Sequence, residues 1–314
     1  MRVFITGGSG FLGREVVRRL LERGDDVQVL VRDPKRCPVG AEPLVGDITN
    51  PLLTSLKIRP VEEVWHLAAL LDLGDRRRQA LHNVNVDGTL NVLNLAKQAG
   101  AGRFVLASTA YVEGRARNAY EVSKKCAERY ACEHSHLNGY DLTIFRPSII
   151  VASTETHIPP SGQGFYRFVV MLARIHRRAE RLRQRVEETA KLPGIQPVFR
   201  IRAGPNVRLN LVPVDLVADA MLRIGSSGVH VLTNPLPPRM RDLANWVGEA
   251  LALKTRVLRD FRMNLPEALF HRLMAPFLVY LQADIPLPPS ALTVKKAPVD
   301  KEFVLETVRN AFGD

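Results

Sequence analysis

The chain has 314 residues, of which 46% are hydrophobic and 24% charged, the composition of an ordinary globular protein with a large core. No apolar run approaches the ~20 residues that a membrane-spanning helix needs, and three cysteines are too few for a disulfide framework. The net charge of +12 favours anionic ligands, but there is no zinc finger, RNA-binding signature or aromatic-interleaved basic stripe, so we expect no nucleic-acid partner.

The start of the chain and its cysteines bear on location. MRVFITGG lacks the basic segment and long apolar stretch of a signal peptide. Together with the scattered Cys37, Cys126 and Cys132, this predicts a reducing, cytoplasmic environment. The histidines have no metal-ligand spacing with acidic or cysteine partners, so we predict no metal site.

The first 31 residues predict a strand, a glycine-rich loop, a helix and a second strand. Residues 2–6 (RVFIT) form a short run of branched apolar side chains, which is typical of a buried parallel strand. Residues 11–23 have apolar side chains at helical spacing, and residues 26–31 (DVQVLV) return as a strand. This order is the context in which a glycine motif indicates dinucleotide binding.

Three glycines of the loop have separate roles in such a site. Gly7 permits a tight turn, Gly10 lets a pyrophosphate approach the backbone, and Gly13 lets helix and strand pack closely. The helix N-terminus offers N–H groups and a partial positive charge to the phosphates. The loop residues that we assign to cofactor binding are Gly7, Ser9, Gly10, Phe11, Leu12 and Gly13.

The end of the second strand reports on the type of cofactor. An NAD-selective site usually has an acidic residue there, on the ribose hydroxyls. Here Arg32 occupies the position of a 2′-phosphate contact, with Lys35 and Arg36 close behind. Asp33 begins an Asp-Pro turn and is expected to point away. The sequence therefore favours NADP over NAD.

Strands and helices continue to alternate as far as Ser148. We predict strands at 42–47, 61–69, 102–109 and 140–147, and helices at 51–58, 82–99 and 118–137. This alternation predicts an α/β fold with a Rossmann-type doubly wound parallel sheet, covered by helices on both faces.

After Ser148 the pattern changes. We predict a loop over 152–164, a long amphipathic helix over 165–191, and one more strand of the first sheet at 228–234. We expect an NADP-binding domain at 1–150, to which 211–235 returns, and a smaller, mostly helical substrate-binding region that closes over it, formed by 151–210 and 236–314.

A group of polar residues follows the strand GRFVLAST. Ser108 and Thr109 end this strand, and YEVSK places Tyr120 and Lys124 at the start of the next helix. Residues four apart lie on one helix face, so the phenol and the ammonium lean towards each other. Ligands of doubly wound sheets bind at the carboxyl ends of strands, where Thr109 and Tyr120 are both expected. A Tyr-x-x-x-Lys pair alone is also compatible with surface decoration.

With these motifs in order, residues 1–150 resemble the extended branch of the short-chain dehydrogenase/reductase superfamily. The matching motifs are TGGSGFLG, GDI, HLAA, NVNVDGTLNVL, YEVSK and FRPSII. The resemblance implies further cofactor contacts at Asp47, Ile48, Leu67, Ala68, Ala69, Asn85, Ser108, Tyr120, Lys124, Pro147, Ile149 and Ile150.

The resemblance also implies catalytic roles. Tyr120 is the acid/base, Lys124 hydrogen-bonds the nicotinamide ribose, and Thr109 donates a hydrogen bond to the substrate carbonyl oxygen. A free phenol has a pKa of ~10, and a nearby ammonium favours phenolate, so we expect Lys124 to lower the pKa of Tyr120. Ser108 is expected to pack or to bond to backbone.

A finer resemblance is to fatty acyl-CoA reductases and the thioester reductase domains of carrier-bound synthases. It rests on STAYVEG, LNLVPVDLVADAML and the C-terminal FLVYLQADIPLPPSAL. Those enzymes use NADPH to reduce an acyl thioester to an aldehyde or alcohol. Two features differ from those enzymes. Only ten residues separate Thr109 from Tyr120, where the acyl reductases usually have a longer insertion, and FRP is followed by the sequence SIIVAST without the common Gly-Pro pair.

The long helix over 165–191 is rich in arginine. These residues are Arg174, Arg177, Arg178, Arg181, Arg183 and Arg185. Beside the apolar opening FYRFVVMLARI they suit an acidic carrier protein, coenzyme A phosphates or a peripheral membrane contact. A solvated face, with Glu180, Glu187 and Glu188 as ion-pair partners, explains them equally well.

The sequence as a whole predicts an NADPH-dependent reductase that transfers hydride to the carbonyl of an acyl thioester, ketone or aldehyde. Two alternative activities on the same fold remain open: that of a sugar-nucleotide epimerase or dehydratase, and that of a hydroxysteroid-type dehydrogenase. A homodimer is also possible. A non-catalytic NADP-sensing regulator is the other alternative, against which Tyr120 and Lys124 argue.

Overall fold

The computed structural model describes residues 1–160, 164–190 and 198–312. The chain forms two compact units. The first consists of Met1–Ser148, Val214–Thr233 and Leu287–Thr293, and the second of Ile149–Pro213, Asn234–Pro286 and Val294–Asp314.

The strands and helices of the described residues are these, in chain order. The strands are β1 (Arg2–Thr6), β2 (Asp26–Val31), β3 (Glu42–Val45), β4 (Glu63–His66), β5 (Arg103–Ala107), β6 (Asp141–Pro147), β7 (Ile149–Val151), β8 (Phe199–Arg202), β9 (Leu211–Pro213), β10 (Gly228–Leu232) and β11 (Thr255–Leu258). The helices are α1 (Phe11–Glu22), α2 (Arg78–His82), α3 (Gly88–Gln98), α4 (Ala119–Asn138), α5 (Gly164–Ala190), α6 (Val214–Arg223), α7 (Met240–Ala250), α8 (Leu265–Leu278) and α9 (Lys301–Phe312).

The first unit is built on a seven-stranded sheet with the order β10-β6-β5-β4-β1-β2-β3. All neighbouring strands run parallel. The chain moves outward from β1 in one direction and then returns to add β4 on its other side, so the topological switch point lies between β1 and β4. The predicted doubly wound sheet is confirmed, as is the return of 228–234 to it, since β10 pairs with β6.

The core of the first unit fixes the strands that carry the predicted site. Phe4, Val64 and Phe104, from β1, β4 and β5, are fully buried. Val92 and Leu93 of α3 pack into the same cluster. Fully burying one such side chain stabilises a fold by roughly 1.5–3 kcal/mol. The carboxyl ends of β1, β4 and β5 are therefore held at fixed positions.

Two helix predictions in this unit need correction. The predicted helix over 51–58 is wrong, because the structure has only a 3₁₀ turn at Leu53–Ser55 there. That stretch is too short to nucleate a helix without tertiary support. The predicted helix over 82–99 starts earlier, at Arg78, and is interrupted by a π-helical turn at Asn83–Asp87. Such turns occur frequently at functional sites.

The second unit contains α5, α7, α8 and α9 and two small sheets. β7 pairs with β9, and β8 pairs with β11, in both cases in parallel. The sequence predicted a mostly helical region and missed both sheets. The predicted ends 161–163 of the loop and 191 of the long helix lie outside the described residues. Within the described ranges, no helix combines the length and the apolar character that crossing a bilayer requires.

Candidate active site

The glycine-rich loop connects β1 to α1 beside the switch point. Gly7 has a φ of 76°, and a Cβ there would lie 2.4 Å from the backbone nitrogen of Ala68. A Cβ at Gly13 would lie 2.0 Å from the Gly7 carbonyl oxygen. Neither position can accept a side chain without moving backbone. The turn and the close packing predicted for these two glycines are thus features of the structure.

The N-terminus of α1 is open to an anion. Gly10, its N-cap, supplies no side-chain cap, and the first turn contains no acidic residue. Gly10 is exposed, and a Cβ there would meet only the Gly7 carbonyl oxygen, at 3.1 Å. Backbone N–H groups at such a helix start suit phosphate oxygens. Ser9, Phe11 and Leu12 are each partly exposed beside this start. The loop residues therefore fit the pyrophosphate of a dinucleotide.

The segment after β2 has exposed cationic side chains. Arg32 and Lys35 are both exposed. Asp33 caps the 3₁₀ turn Pro34–Arg36, and its Oδ1 accepts a hydrogen bond from the Lys35 backbone nitrogen at 3.0 Å. The carboxylate of Asp33 is thus engaged in the turn, as the Asp-Pro pair predicted.

The residues assigned to the adenine side lie in two loops. Asp47 Oδ1 accepts hydrogen bonds from the backbone nitrogen and the hydroxyl of Thr49, both at 2.9 Å. Ile48 is buried, and its carbonyl accepts a bond from Asn91 Nδ2 at 2.8 Å. Leu67, Ala68 and Ala69 directly follow β4, and the Leu67 backbone nitrogen donates to the Thr6 carbonyl of β1 at 3.0 Å.

Asn85 joins the loop after β4 to α4. Its side chain is 1% exposed. The amide Nδ2 donates to the Leu70 carbonyl at 3.0 Å and to Ser123 Oγ at 2.9 Å, while Oδ1 accepts from the Leu70 backbone nitrogen at 2.7 Å. Ser123 directly precedes Lys124. Asn85, in the π-helical turn, therefore connects two segments of the predicted site.

Ser108 and Thr109 follow β5 and are both buried. Thr109 Oγ1 accepts a hydrogen bond from the Tyr111 backbone nitrogen at 3.4 Å, which leaves its hydroxyl hydrogen available for a further acceptor. Ser108 Oγ is buried and has no hydrogen-bond partner in the described part of the chain. Of the two expectations for Ser108, packing is seen, since the residue is buried, and a bond from its hydroxyl to backbone is not. Buried polar atoms are rarely left unpaired, so this one is consistent with a place for a ligand atom.

Tyr120 and Lys124 lie in the first turns of α4. Asn118 caps this helix, accepting a hydrogen bond from the Glu121 backbone nitrogen at 3.0 Å. Lys124 is buried, and its Nζ donates to the Ala107 carbonyl oxygen at 2.6 Å. The ammonium is thus fixed on the last residue of β5, directly before Ser108.

The expected effect of Lys124 on the pKa of Tyr120 is wrong for the protein alone. Burial, reinforced by the negative charge of Glu121, raises the pKa of Tyr120 to about 12. Burial lowers the pKa of Lys124 to about 8. Loss of hydration is the largest cause of the raised pKa of Tyr120, and the Lys124 ammonium is bonded to the Ala107 carbonyl. Tyr120 therefore remains a protonated phenol at neutral pH.

A buried chain of hydrogen bonds, which the sequence did not reveal, runs across the switch point. Thr89 Oγ1 donates to the Asn85 carbonyl at 2.7 Å, so it accepts from His66 Nε2, 3.0 Å away. A neutral imidazole has one N–H, so His66 Nδ1 accepts from Thr6 Oγ1 at 2.6 Å. Burial, together with the charge of Lys124, lowers the pKa of His66 to about 3, which keeps it neutral. This chain links β1, β4 and α3.

The remaining predicted residues lie near the end of β6. Pro147 is the last residue of β6 in the first unit, whereas Ile149 and Ile150 belong to β7 of the second unit. Glu121 in the first turn of α4 and Arg117, just before the helix, are further residues that the sequence did not single out. Their i, i+4 spacing was the signal that was available. Among the described residues, no three His, Cys, Asp or Glu side chains form a group suited to a metal ion.

Known proteins are similar to this chain in sequence or in fold. Residues 3–182 match the NAD dependent epimerase/dehydratase family. A 3-beta-hydroxysteroid dehydrogenase of Mycolicibacterium neoaurum is 34% identical over 173 residues, which are 47% of each chain. A 4-hydroxy-2-methyl-3-oxo-4-farnesyl-3,4-dihydroquinoline-1-oxide ketoreductase of Stigmatella aurantiaca is 27% identical over 270 residues, 82% of this chain and 75% of the relative.

A solved structure extends the similarity of fold to nearly the whole chain. The terminal R domain from the myxalamid PKS-NRPS biosynthetic pathway has a TM-score of 0.72 at 19% identity, covering 99% of this chain and 90% of that domain. This likeness concerns the fold alone. The chain spans about half the length of the first curated relatives it matches. Since the family match covers more than half of the 314 residues, the chain belongs to the NAD-dependent epimerase/dehydratase family, within the extended short-chain dehydrogenases/reductases.

Proposed function

We propose that the chain is an NADPH-dependent reductase that reduces the carbonyl of an acyl thioester or of a related ketone or aldehyde. The observation that carries this proposal is the bond from Lys124 Nζ to the Ala107 carbonyl at 2.6 Å. It holds the first turns of α4, with Tyr120, against the end of β5, with Ser108 and Thr109. The cation and two hydroxyls thereby lie at the carboxyl end of a strand near the switch point, beside the helix turn that contains Tyr120.

In this proposal Tyr120 acts as the acid. When bound, the nicotinamide supplies the hydride, and the carbonyl oxygen that gains negative charge needs a proton. A phenol with a pKa of about 12 is protonated at neutral pH and can donate that proton. Thr109 offers its free hydroxyl hydrogen to the same oxygen. Lys124, whose pKa is about 8, is charged at neutral pH and orients the cofactor ribose.

The cofactor would extend from this group to the end of β2. The open start of α1 suits its pyrophosphate, and exposed Arg32 and Lys35 suit a 2′-phosphate, because Asp33 is engaged in its own turn. We propose that Asn85 acts through Leu70 and Ser123. The remaining proposed contacts are Asp47, Ile48, Leu67, Ala68, Ala69, Ser108, Pro147, Ile149 and Ile150.

A basic cavity in the second unit supports a substrate with phosphate groups. It has a volume of about 360 Å³. Its lining residues are His176, Arg177, Glu180, Arg181, Gln184, Leu251, Ala252, Leu253 and Lys254. Three permanent cations against one carboxylate, which pairs with Arg183, favour an anion such as a phosphate of coenzyme A or of a carrier-bound acyl group. The side chains of Arg185, Glu187 and Glu188 lie outside the described residues.

A hydroxysteroid-type dehydrogenase is the second candidate. It is favoured by the 34% identical relative, whose name describes that activity. It uses the same Tyr120, Lys124 and Thr109, but on a substrate without phosphate. The two candidates therefore differ in whether the basic cavity matters.

The test is NADPH oxidation by the purified chain with a panel of acyl-CoAs, ketones including a 3-oxosteroid, aldehydes and UDP-sugars. We expect turnover of a thioester, ketone or aldehyde, and its loss in Tyr120→Phe with NADPH binding retained. Turnover of the 3-oxosteroid alone would favour the second candidate. NADPH binding without turnover of any compound would overturn the proposed activity.

A further inference from the structure

The segment of residues 110–118, which connects Thr109 to the start of α4, is tied to this helix by cationic side chains. Lys125 Nζ donates to the Gly114 carbonyl at 3.1 Å. Arg146 of β6 contacts Glu113 of the segment and also donates from Nε to Glu128 Oε1 of α4 at 2.9 Å. The connection is therefore not a loose loop, although it is short.

The third tie is the closest to the proposed chemistry. Arg117 Nη1 donates to the Tyr111 carbonyl at 3.4 Å and to Glu121 Oε2 at 3.2 Å. The Arg117 backbone nitrogen donates to the same Glu121 oxygen at 2.7 Å. Tyr111 in turn donates its backbone N–H to Thr109 Oγ1. One chain of contacts thus runs from Thr109 through Arg117 to the residue beside Tyr120.

The burial of Glu121 makes this tie strong. Its side chain is 0% exposed, whereas that of Arg117 is 20% exposed. A carboxylate taken out of water needs a paired cation, and removal of that cation leaves an uncompensated buried charge. The two residues therefore depend on each other for their positions. An i, i+4 pair on the surface of a helix has little such constraint.

We propose that Arg117 and Glu121 are positioning residues that hold Thr109 and Tyr120 at a fixed separation for the carbonyl reaction. This inference rests on the proposed function. Neither residue exchanges a proton with the substrate. Each acts through a neighbour: Arg117 through Tyr111 and Thr109, and Glu121 through the first turn of α4 and through its charge next to Tyr120. Ten residues separate Thr109 from Tyr120 along the chain. In this proposal the ion pair between Arg117 and Glu121 fixes the distance between Thr109 and Tyr120 across this short connection.

Arg117→Met tests the position directly. We expect kcat to fall about tenfold or more, because small misplacements of reacting groups reduce rates strongly, with Kd for NADPH changed less than about twofold. Arg117→Lys, which keeps the charge, should recover part of the loss. Arg129→Met is the control, because it removes an exposed ion pair of α4, in which Arg129 Nε lies 3.7 Å from Glu133 Oε1. It should change neither kcat nor the Kd for NADPH.

Glu121→Gln gives a readout that does not need turnover. Glu121 directly follows Tyr120, and its charge contributes to the raised pKa of Tyr120. Arg117 pairs with Glu121, and Lys124 lies one turn along α4. The ultraviolet absorbance of the Tyr120 phenolate is followed as the pH rises, and the contribution of the other tyrosines is subtracted by titrating the same protein with Tyr120→Phe. Removing the Glu121 charge should lower the pH at which half of Tyr120 is ionised. This titration tests the part of the inference that concerns the Glu121 charge, whether or not a substrate is turned over.

Three results would overturn it. One is an unchanged kcat in folded Arg117→Met or, if that variant does not fold, in Arg117→Lys and Glu121→Gln. Another is an unchanged pH of half-ionisation for Tyr120 in Glu121→Gln. The third is a loss of NADPH binding equal to the loss of kcat, because it would indicate general damage to the unit.

Discussion

Lys124 Nζ lies 2.6 Å from the carbonyl oxygen of Ala107, and this bond joins α4 to the end of β5. It places a buried ammonium next to Ser108 and Thr109, in a group of residues that are far apart along the chain. The bond compensates only in part for lost hydration, since burial lowers the pKa of Lys124 to about 8. That shift has a consequence for stability that can be measured.

We expect the free energy of unfolding to rise with pH between about pH 8 and 10 because of Lys124. Its pKa is about 8 in the folded chain and 10.5 as a free side chain, so the unfolded chain binds more protons in this window. The stability is lowest below pH 8 and recovers as the folded state loses its proton. The gain is at most roughly 3–4 kcal/mol, because the two pKa values differ by about 2.5 and each pKa unit corresponds to about 1.36 kcal/mol. Above pH 10, Tyr120 opposes it, because the pKa of Tyr120 is raised.

Urea unfolding of wild type and Lys124→Met at pH 7, 8, 9 and 10 measures this effect. The difference in unfolding free energy between the two proteins should change with pH over the window. Lys97→Met, at an exposed lysine of α3, is the control and should follow the wild type at every pH. Parallel curves for Lys124→Met and wild type would mean that the folded pKa of Lys124 is ordinary.

Ser108→Ala should have opposite effects on the free and the cofactor-bound chain. The buried Ser108 Oγ has no partner in the described part of the chain, so removing it should raise the unfolding free energy by about 1 kcal/mol. If the hydroxyl bonds to the cofactor, the affinity for NADPH should fall by about tenfold. Thermal unfolding with and without NADPH measures both.

Ser123→Ala is the matched control for this prediction. Ser123 is buried too, but its Oγ donates to the Tyr120 carbonyl at 2.7 Å and accepts from Asn85. Its removal should destabilise the free chain. A loss of stability in Ser108→Ala similar to that in Ser123→Ala would contradict the unpaired state of the Ser108 hydroxyl.

The first unit was predictable because its signals are local. The spacing of the glycines predicted that other backbone segments approach Gly7 and Gly13 closely, and the structure has these close contacts. Buried strands such as β1 and β5 can be recognised in the sequence as runs of branched apolar residues. The sheets β7·β9 and β8·β11 could not be found in this way, because three- and four-residue strands have too few positions to show a period and pair with distant segments.

The electrostatics of the site were the least predictable part. The i, i+4 geometry of Tyr120 and Lys124 suggested a lowered phenol pKa, but the balance depends on burial, which only tertiary structure sets. The same applies to His66, whose neutral state follows from burial and from the charge of Lys124 on another element. Glu113 and Arg146, 33 positions apart, meet only once β6 and α4 are packed.

Arg32→Ala should weaken NADPH binding about 10- to 100-fold, the range for a lost charge-assisted hydrogen bond, and should leave NADH binding nearly unchanged. The reason is that we propose the exposed Arg32 as the contact for the 2′-phosphate, which only NADPH carries. Fluorescence titration of both cofactors measures this ratio. Arg129→Ala, at an exposed position of α4, should affect neither. Equal losses for NADPH and NADH in Arg32→Ala would mean that Arg32 does not contact the 2′-phosphate.

Gly13→Ala should destabilise the chain by about 1–3 kcal/mol and reduce NADPH binding. The added Cβ would lie 2.0 Å from the Gly7 carbonyl oxygen and 2.7 Å from the Gly8 Cα, so α1 must move away from the loop. Gly225→Ala is the control, since its Cβ would meet nothing within 4 Å. Urea unfolding should show Gly225→Ala within about 0.5 kcal/mol of wild type. Equal stability of Gly13→Ala and Gly225→Ala would show that the loop and α1 can separate without penalty, and would remove the structural reason for the third glycine.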